Sequence, residues 1–157
     1  MKVALTYGKP VLYKDFVISK EQVREARELG VSSVLLIKRL LGDSLWELAD
    51  YAMSLGLEPL IEVDNEEDAV EVVNTNPNVM LGINSRDLGN LSVSLDRAVS
   101  IIRAVRGKAG IIIAESGVKG IDDASRLARE GANAVLVGTA LMRNMELARG
   151  LSSVAIK

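Results

Sequence analysis

Neither cysteine nor histidine occurs among the 157 residues of this chain. The two absences together remove disulfides, thiol nucleophiles, histidine-based triads and the usual transition-metal ligands. Proton transfer must therefore run through Lys, Glu, Asp or Tyr. Excess basic charge is also missing: 19 Lys and Arg face 21 Asp and Glu, for a net charge of -2, so there is no positive field to attract nucleic acid. No apolar run approaches the roughly 18 residues of a membrane span, and Met1-Lys2-Val3 does not open a signal peptide. The sequence thus predicts a cytoplasmic protein with neither nucleic acid nor membrane as a partner. A phosphorylated small molecule stays open, because backbone amides and one or two cations can hold it locally.

What is present is an ordinary globular composition, 48% hydrophobic and 25% charged, in a length that suits one domain with a sizeable core. Four apolar runs each stop at a polar cluster: Leu60-Ile61 at Glu62, Leu81-Gly82-Ile83 at Asn84-Ser85-Arg86-Asp87, Ile111-Ile112-Ile113-Ala114 at Glu115-Ser116-Gly117, and Val135-Leu136-Val137 at Gly138-Thr139. A buried parallel strand reads as a continuous apolar run, and ligands of α/β folds lie off the carboxyl ends of such strands. The pattern predicts one site assembled from several strand ends.

Strand-like runs begin near Val11, Val34, Leu60, Met80, Ile111 and Ala134, roughly every 25 residues, as repeated right-handed βαβ units require. Segments of helical periodicity lie between them. Glu21 to Leu29 ends at Gly30, and Ser44 to Leu55 ends at Gly56, with Ser44 and Glu47 spaced as a capping box. Asn65 is placed to cap Glu66 to Asn74 and Ser94 to cap Leu95 to Val105; Asp122 or Asp123 starts the helix that ends at Gly131, and Met145 to Leu151 forms a last short one. An open doubly wound sheet and a barrel both fit this order. No Gly-rich dinucleotide turn follows the first strand, and functional side chains at several successive strand ends suit a barrel better. Six units fall short of eight, and about 250 residues is typical of a whole barrel.

Each polar cluster has a chemical and a structural reading. Gly117 and Gly138-Thr139 follow the last two strands, where barrels often bind phosphate through backbone amides, or else they only permit tight turns. Lys14 projects at a strand end as a general acid or as a surface lysine paired with Asp15. Glu62 and Glu115 end very apolar strands, an expensive place for a charge without a task or a partner, and Lys14 is the partner available. Arg86 is suited to a bidentate grip on an anion and Asn84 to a substrate hydroxyl, or Asp87 simply pairs with Arg86. Lys38-Arg39 reads as a solvated loop and Trp46 as a helix-face packing residue.

In order, Pro10–Phe16 (PVLYKDF), Glu58–Val63 (EPLIEV), Gly82–Leu88 (GINSRDL), Ala114–Gly117 (AESG) and Val137–Met142 (VGTALM) strongly resemble indole-3-glycerol phosphate synthase, from about Pro10 to Leu151. The resemblance implies a (β/α)8 TIM-type barrel, here incomplete at about six units, acting on 1-(2-carboxyphenylamino)-1-deoxyribulose 5-phosphate in tryptophan biosynthesis. It implies Lys14 as general acid on the substrate carbonyl and Glu62 in proton transfer and stabilisation of a cationic intermediate. Asn84, Arg86, Glu115 and Ser116 become substrate-binding residues, and Gly117, Gly138 and Thr139 phosphate-binding ones. No metal and no organic cofactor is implied. Phosphoribosylanthranilate isomerase fits less well, because PVLYKDF and GINSRDL are not its motifs.

The family's first strand carries a Glu-Xaa-Lys motif that nothing here matches, and Met1 to Lys9 resembles the end of the second helix plus a connection. Without the first two βα units, the third and eighth strands of the family barrel would keep open edges. The expected partner is therefore a second copy in a homo-oligomer, or a complementing chain that supplies the missing units. The alternative function is a non-catalytic or complementation-dependent partial barrel that binds a phosphorylated ligand.

Overall fold

Val, Ile and Leu, which pack well on a pleated surface covered on both sides, dominate the six apolar runs, and each run forms a strand. The computed structural model describes residues 2–87 and 89–154, with only the backbone of Lys2 and Val3. Leu88, the last residue of the GINSRDL motif, lies outside the described residues. The chain divides into two compact units, residues 1–62 and 63–157.

The first unit runs α1 (Lys2–Leu5), β1 (Leu12–Tyr13), α2 (Lys20–Glu28), β2 (Ser33–Ile37), α3 (Lys38–Leu41), α4 (Leu45–Ser54) and β3 (Glu58–Val63), whose last residue opens the second unit. β1 pairs with β2 in parallel, Leu12 opposite Ser33. β2 pairs with β3 in parallel, from Ser33 opposite Glu58 to Ile37 opposite Glu62. Val34, Leu35, Leu36 and Ile37 are buried in succession, so both faces of β2 are covered, with α4 packed against it.

The second unit continues with α5 (Glu66–Thr75), β4 (Met80–Asn84), α6 (Leu95–Val105), β5 (Ile111–Glu115), α7 (Ile121–Glu130), β6 (Ala134–Leu136), α8 (Thr139–Arg143) and α9 (Leu147–Ser152). β4, β5 and β6 are parallel, in a register that sets Asn84 beside Glu115 and Glu115 beside Leu136. α6 buries Ala98, Val99, Ile101, Ile102 and Val105 and packs against α5, α7 and β4. Each fully buried Val or Ile among them contributes about 1.5–3 kcal/mol of transfer free energy. β6 differs: its three residues are all half-buried, and among the described residues it pairs only with β5.

The helix boundaries test the capping rules directly. Asn65 accepts a hydrogen bond from Asp68 N at 2.8 Å, and Ser94 accepts one from Arg97 N at 3.3 Å, so α5 and α6 start as predicted. Four starts differ. α9 begins at Leu147, two residues after the predicted Met145. α2 begins one residue before the predicted Glu21, because Ser19 lies in extended backbone and accepts from Gln22 N. Ser44 makes no capping bond: Gly42–Ser44 coil into a 3₁₀ turn, and Ser44 itself is already helical at φ -77°, ψ -6°. α7 starts after Gly120, and Asp123, inside the first turn, reaches back to accept from Lys119 N at 2.8 Å. Lys38 and Arg39, expected in a loop, open the short α3. Among the described residues no helix is long and apolar enough to cross a membrane.

Candidate functional site

Lys14 and Glu62 form a charged pair at strand ends of the first unit. β1 stops at Tyr13 and hands Lys14 to solvent at 40% side-chain exposure, whereas Glu62 sits within β3 at 2%. The two meet at 3.2 Å between Nζ and Oε2. Of the two structural partners considered for these residues, Lys14 with Asp15 and Lys14 with Glu62, this geometry supplies the second. The pair does not dispose of the chemical reading. A buried carboxylate that fixes a half-exposed ammonium at a strand end keeps it aimed, which is what a proton donor to bound substrate needs.

The second unit brings together the remaining predicted residues in two groups. Asn84 is 6% exposed and Glu115 is 1% exposed, and their register places the two side chains on one face of the sheet at neighbouring strand ends. Asn84 Oδ1 accepts from Arg86 N at 2.9 Å, so its amide is set by the turn that leaves β4. Ser116, just past β5, is left-handed at φ +64°, a strained conformation for a residue with a Cβ.

The other group lines a cavity of about 510 Å³ bordered by Arg86, Gly117, Lys119, Thr139, Arg143 and Asn144, with Val93, Val118, Ala140 and Leu147. Among the described residues three cationic side chains and no carboxylate border it, so its field suits an anion. A side chain at Gly117 is disfavoured on two counts: φ is +73°, and a Cβ there would lie 2.9 Å from Val93 Cγ1 and 3.2 Å from Ser85 Oγ. Gly138 is different. Its φ of -111° is open to any residue, and nothing lies within 4 Å of where its Cβ would be. A tight turn therefore does not explain Gly138, whereas unobstructed approach to its backbone remains a use for it. The cavity includes Gly117, Thr139 and Arg86 of the predicted residues; Gly138 stands next to it in sequence, and Asn84, Glu115 and Ser116 do not line it.

Sequence reasoning missed three residues here, Lys119, Arg143 and Arg97, and placed Ser85 in a polar cluster without a role of its own. Lys119 and Arg143 contribute two of the three cations of the cavity, Lys119 two residues beyond Gly117 and Arg143 at the end of α8. Both could have been found as the first cations after the glycine turns. Ser85 is fully buried; its N–H donates to Glu115 O at 2.9 Å, and its hydroxyl is shared between Glu115 O at 2.8 Å and Ser116 O at 2.9 Å. Arg97 reaches back from α6, with its NH1 group 3.5 Å from Asp87 Oδ2. Among the described residues no three acidic side chains cluster as a metal site would require.

Parallel βα units with polar residues at successive strand ends define a chain of the (β/α)-barrel type, and solved structures share that fold. A mutant tryptophan synthase alpha-subunit from the hyperthermophile Pyrococcus furiosus matches with a TM-score of 0.65 at 18% identity, covering 86% of this chain and 59% of the other. Mandelate oxidase with (S)-2-phenylpropionate matches with a TM-score of 0.66 at 16% identity, covering 96% and 56%. At sequence level the chain belongs to the indole-3-glycerol phosphate synthase family, whose sequence profile, described as "Indole-3-glycerol phosphate synthase", matches residues 1–154. Relatives of that name include one from Pyrobaculum arsenaticum, 47% identical over 148 residues, covering 94% of this chain and 59% of the relative. Another, from Pyrococcus furiosus, is 42% identical over 137 residues, covering 85% and 59%. The chain therefore spans about three-fifths of the length of these curated relatives.

Proposed function

We propose that this chain carries ring-closing and decarboxylating machinery for indole-3-glycerol phosphate formation, as a lyase acting on 1-(2-carboxyphenylamino)-1-deoxyribulose 5-phosphate. The observation that carries this reading is the contact of Lys14 with buried Glu62 at 3.2 Å. In the proposed step the ring carbon bearing the carboxylate bonds to the ribulose carbonyl carbon, and Lys14 gives a proton to the carbonyl oxygen as the π electrons move onto it. Departure of CO₂ returns its bonding pair to the ring. Loss of the hydroxyl as water, with loss of a ring-side proton, then completes the indole. Glu62 holds Lys14 in place and offsets the positive charge that develops after ring closure.

Asn84, Arg86, Glu115 and Ser116 are assigned to substrate binding. Gly117, Gly138 and Thr139 are assigned to the phosphate through backbone amides, with the cationic border of the second unit's cavity supporting an anion there. We further assign a partner: a complementing chain that supplies the first two βα units or, failing that, a second copy of this chain on the open side of β6.

A second reading, a partial barrel that binds a phosphorylated ligand without catalysis, is favoured by two facts. The chain spans 59% of its relatives, and no residue matches the Glu-Xaa-Lys motif of the family's first strand. A fluorescence assay for indole-3-glycerol phosphate separates the two, run on this chain alone and with a second chain carrying the two units. Activity that appears on complementation and is lost in Lys14→Ala supports the catalytic reading. Phosphate binding without turnover in either arm leaves the non-catalytic one, and full activity of the chain alone would refute the need for a partner.

A further inference from the structure

We propose that Arg97 is the positioning residue that sets Arg86 and the Ser116-Gly117 turn for the phosphate end of the ligand. The idea deepens the phosphate assignment above and rests on it for the ligand, though not for the mechanics. Arg97 lies in the first turn of α6, at 29% side-chain exposure, and points away from its own helix into the segment that follows β4. Its NH2 group donates to Ser85 O at 2.9 Å and to Ser92 O at 3.2 Å, and NH1 reaches Asp87 Oδ2 at 3.5 Å. One planar guanidinium thus ties the first, third and eighth residues of a single excursion, 85–94, to the helix that closes it.

Both sides of the proposed anion site depend on what that guanidinium holds. On one side, Arg86 leaves β4 between Ser85 and Asp87, and its own NH1 donates to Leu91 O at 3.1 Å. Leu91 N in turn donates to Asp87 O at 2.8 Å, and Asp87 N to Ser92 O at 2.9 Å. The carbonyl that receives the Arg86 guanidinium is therefore within one hydrogen bond of an Arg97 contact, while Asn84 Oδ1 separately fixes the Arg86 amide at 2.9 Å. On the other side, the Ser85 hydroxyl holds the carbonyls of Glu115 and Ser116, and its Oγ is 3.2 Å from where a Gly117 Cβ would be. Ser85 is the hinge between the two sides, and Arg97 grips its carbonyl.

The chemistry favours a guanidinium at this position. Three acceptors spread over two backbone carbonyls and a carboxylate match a planar fork with five donors, while an ammonium is a single point with three. The backbone would not be orphaned without Arg97: Ser85 O also accepts from Ser94 N at 2.9 Å, and Ser92 O from Asp87 N. Removing the side chain should hence loosen the excursion without unfolding the unit, as a positioning residue requires and a core residue would not.

The test uses Arg97→Gln and Arg97→Lys with two readouts. Hydrogen exchange at the amides of Asp87, Leu91 and Ser94 should speed about tenfold or more in Arg97→Gln, the equivalent of one charge-assisted bond lost, with α7 amides unchanged. Titration with inorganic phosphate, followed by the amide resonances of Gly117 and Gly138, should show about tenfold weaker binding, with urea unfolding still cooperative and its midpoint lowered by no more than about 0.7 M, the same tenfold at an m-value of about 2 kcal/mol/M. Arg97→Lys should recover less than half of either effect on a logarithmic scale, and it carries both readouts if Arg97→Gln does not fold. Unchanged exchange across 85–94 in a folded variant overturns the role of Arg97. Wild-type protein that binds no phosphate, with exchange accelerated in the variant, refutes the phosphate assignment while leaving the clamp in place.

Discussion

Gly117 and Gly138 look equivalent in the sequence, each just past a strand, and their environments say they are not. Alanine at Gly117 must adopt φ +73°, which costs an L-residue about 1–2 kcal/mol. Its methyl would also stand 2.9 Å from Val93 Cγ1 and 3.2 Å from Ser85 Oγ. Val93 is partly exposed and can yield, but Ser85 is pinned by two carbonyls, so overpacking adds about 1 kcal/mol, the low end for a crowded site. Gly117→Ala should therefore destabilise by about 2–3 kcal/mol, which at a urea m-value of about 2 kcal/mol/M lowers the midpoint by about 1–1.5 M. Gly138→Ala has φ -111° and no neighbour within 4 Å, so its midpoint should stay or rise slightly, since alanine restricts the unfolded chain. Equilibrium urea unfolding of the two variants decides the matter. Equal shifts, or a Gly117→Ala shift below about 0.5 M, would refute both the strain and the crowding arguments. If Gly138→Ala, at undiminished stability, also loses affinity for inorganic phosphate, close approach to its backbone is what the glycine provides.

Lys14→Ala leaves the Glu62 carboxylate, 2% exposed, without its ammonium, and because Lys14 is itself 40% exposed the loss should be about 1–3 kcal/mol, below that of a fully buried pair. In the complemented assay the same variant should lose about 10²- to 10⁴-fold in turnover, and a loss in stability without any loss in rate would place the pair in a purely structural role. Between α6 and α7, Arg103 Nε and NH2 each lie 2.7 Å from a Glu130 oxygen. Those hydrogen bonds, more than the Coulomb attraction, hold the Glu130 carboxyl below its ordinary pKa, against partial desolvation. A depressed carboxylate stabilises the fold above its unfolded pKa of about 4.3 and stops doing so as the pH falls through the folded value. Thermal melts from pH 7 down to pH 3 should show wild-type stability falling more steeply below about pH 4.5 than that of Arg103→Ala, whereas parallel curves would mean that the bridge contributes nothing.

The strands were legible because continuous apolar runs such as Val34–Ile37 and Ile111–Ala114 have few other uses at that length, and Asn65 and Ser94 announced their helices through local chemistry alone. Ser44 misled because a capping box is a spacing, and the spacing was met by a residue that a preceding 3₁₀ turn had already drawn into helical backbone. The residues of the site divide in the same way. Glu62, Asn84 and Glu115 stood out as polar groups closing apolar runs, a signal contained in a few consecutive letters. Arg97 and Ser85 act through carbonyls of other segments, and Lys119 and Arg143 through a cavity shared by two turns, which consecutive letters do not record.

β6 ties the proposed partner to the proposed phosphate site. The strand pairs on one side among the described residues, and beside it lies a groove of about 490 Å³ lined by Val135, Leu136, Val137, Leu141, Leu151 and Val154 with smaller neighbours. A strand edge without a neighbour is where another chain adds a strand. Gly138 and Thr139 follow Val137 directly, so the backbone amides assigned to phosphate hang from the least buried strand of the second unit. A chain that pairs with β6 binds the folded form and not the unfolded one, and so stabilises the strand and the turn it carries by mass action. Complementation should therefore tighten phosphate binding as well as switch on the chemistry of Lys14, and by linkage phosphate should tighten complementation by the same factor. The two effects have separate origins in the alternative: a partial barrel that binds phosphate alone would do so with the same affinity whether or not the second chain is present.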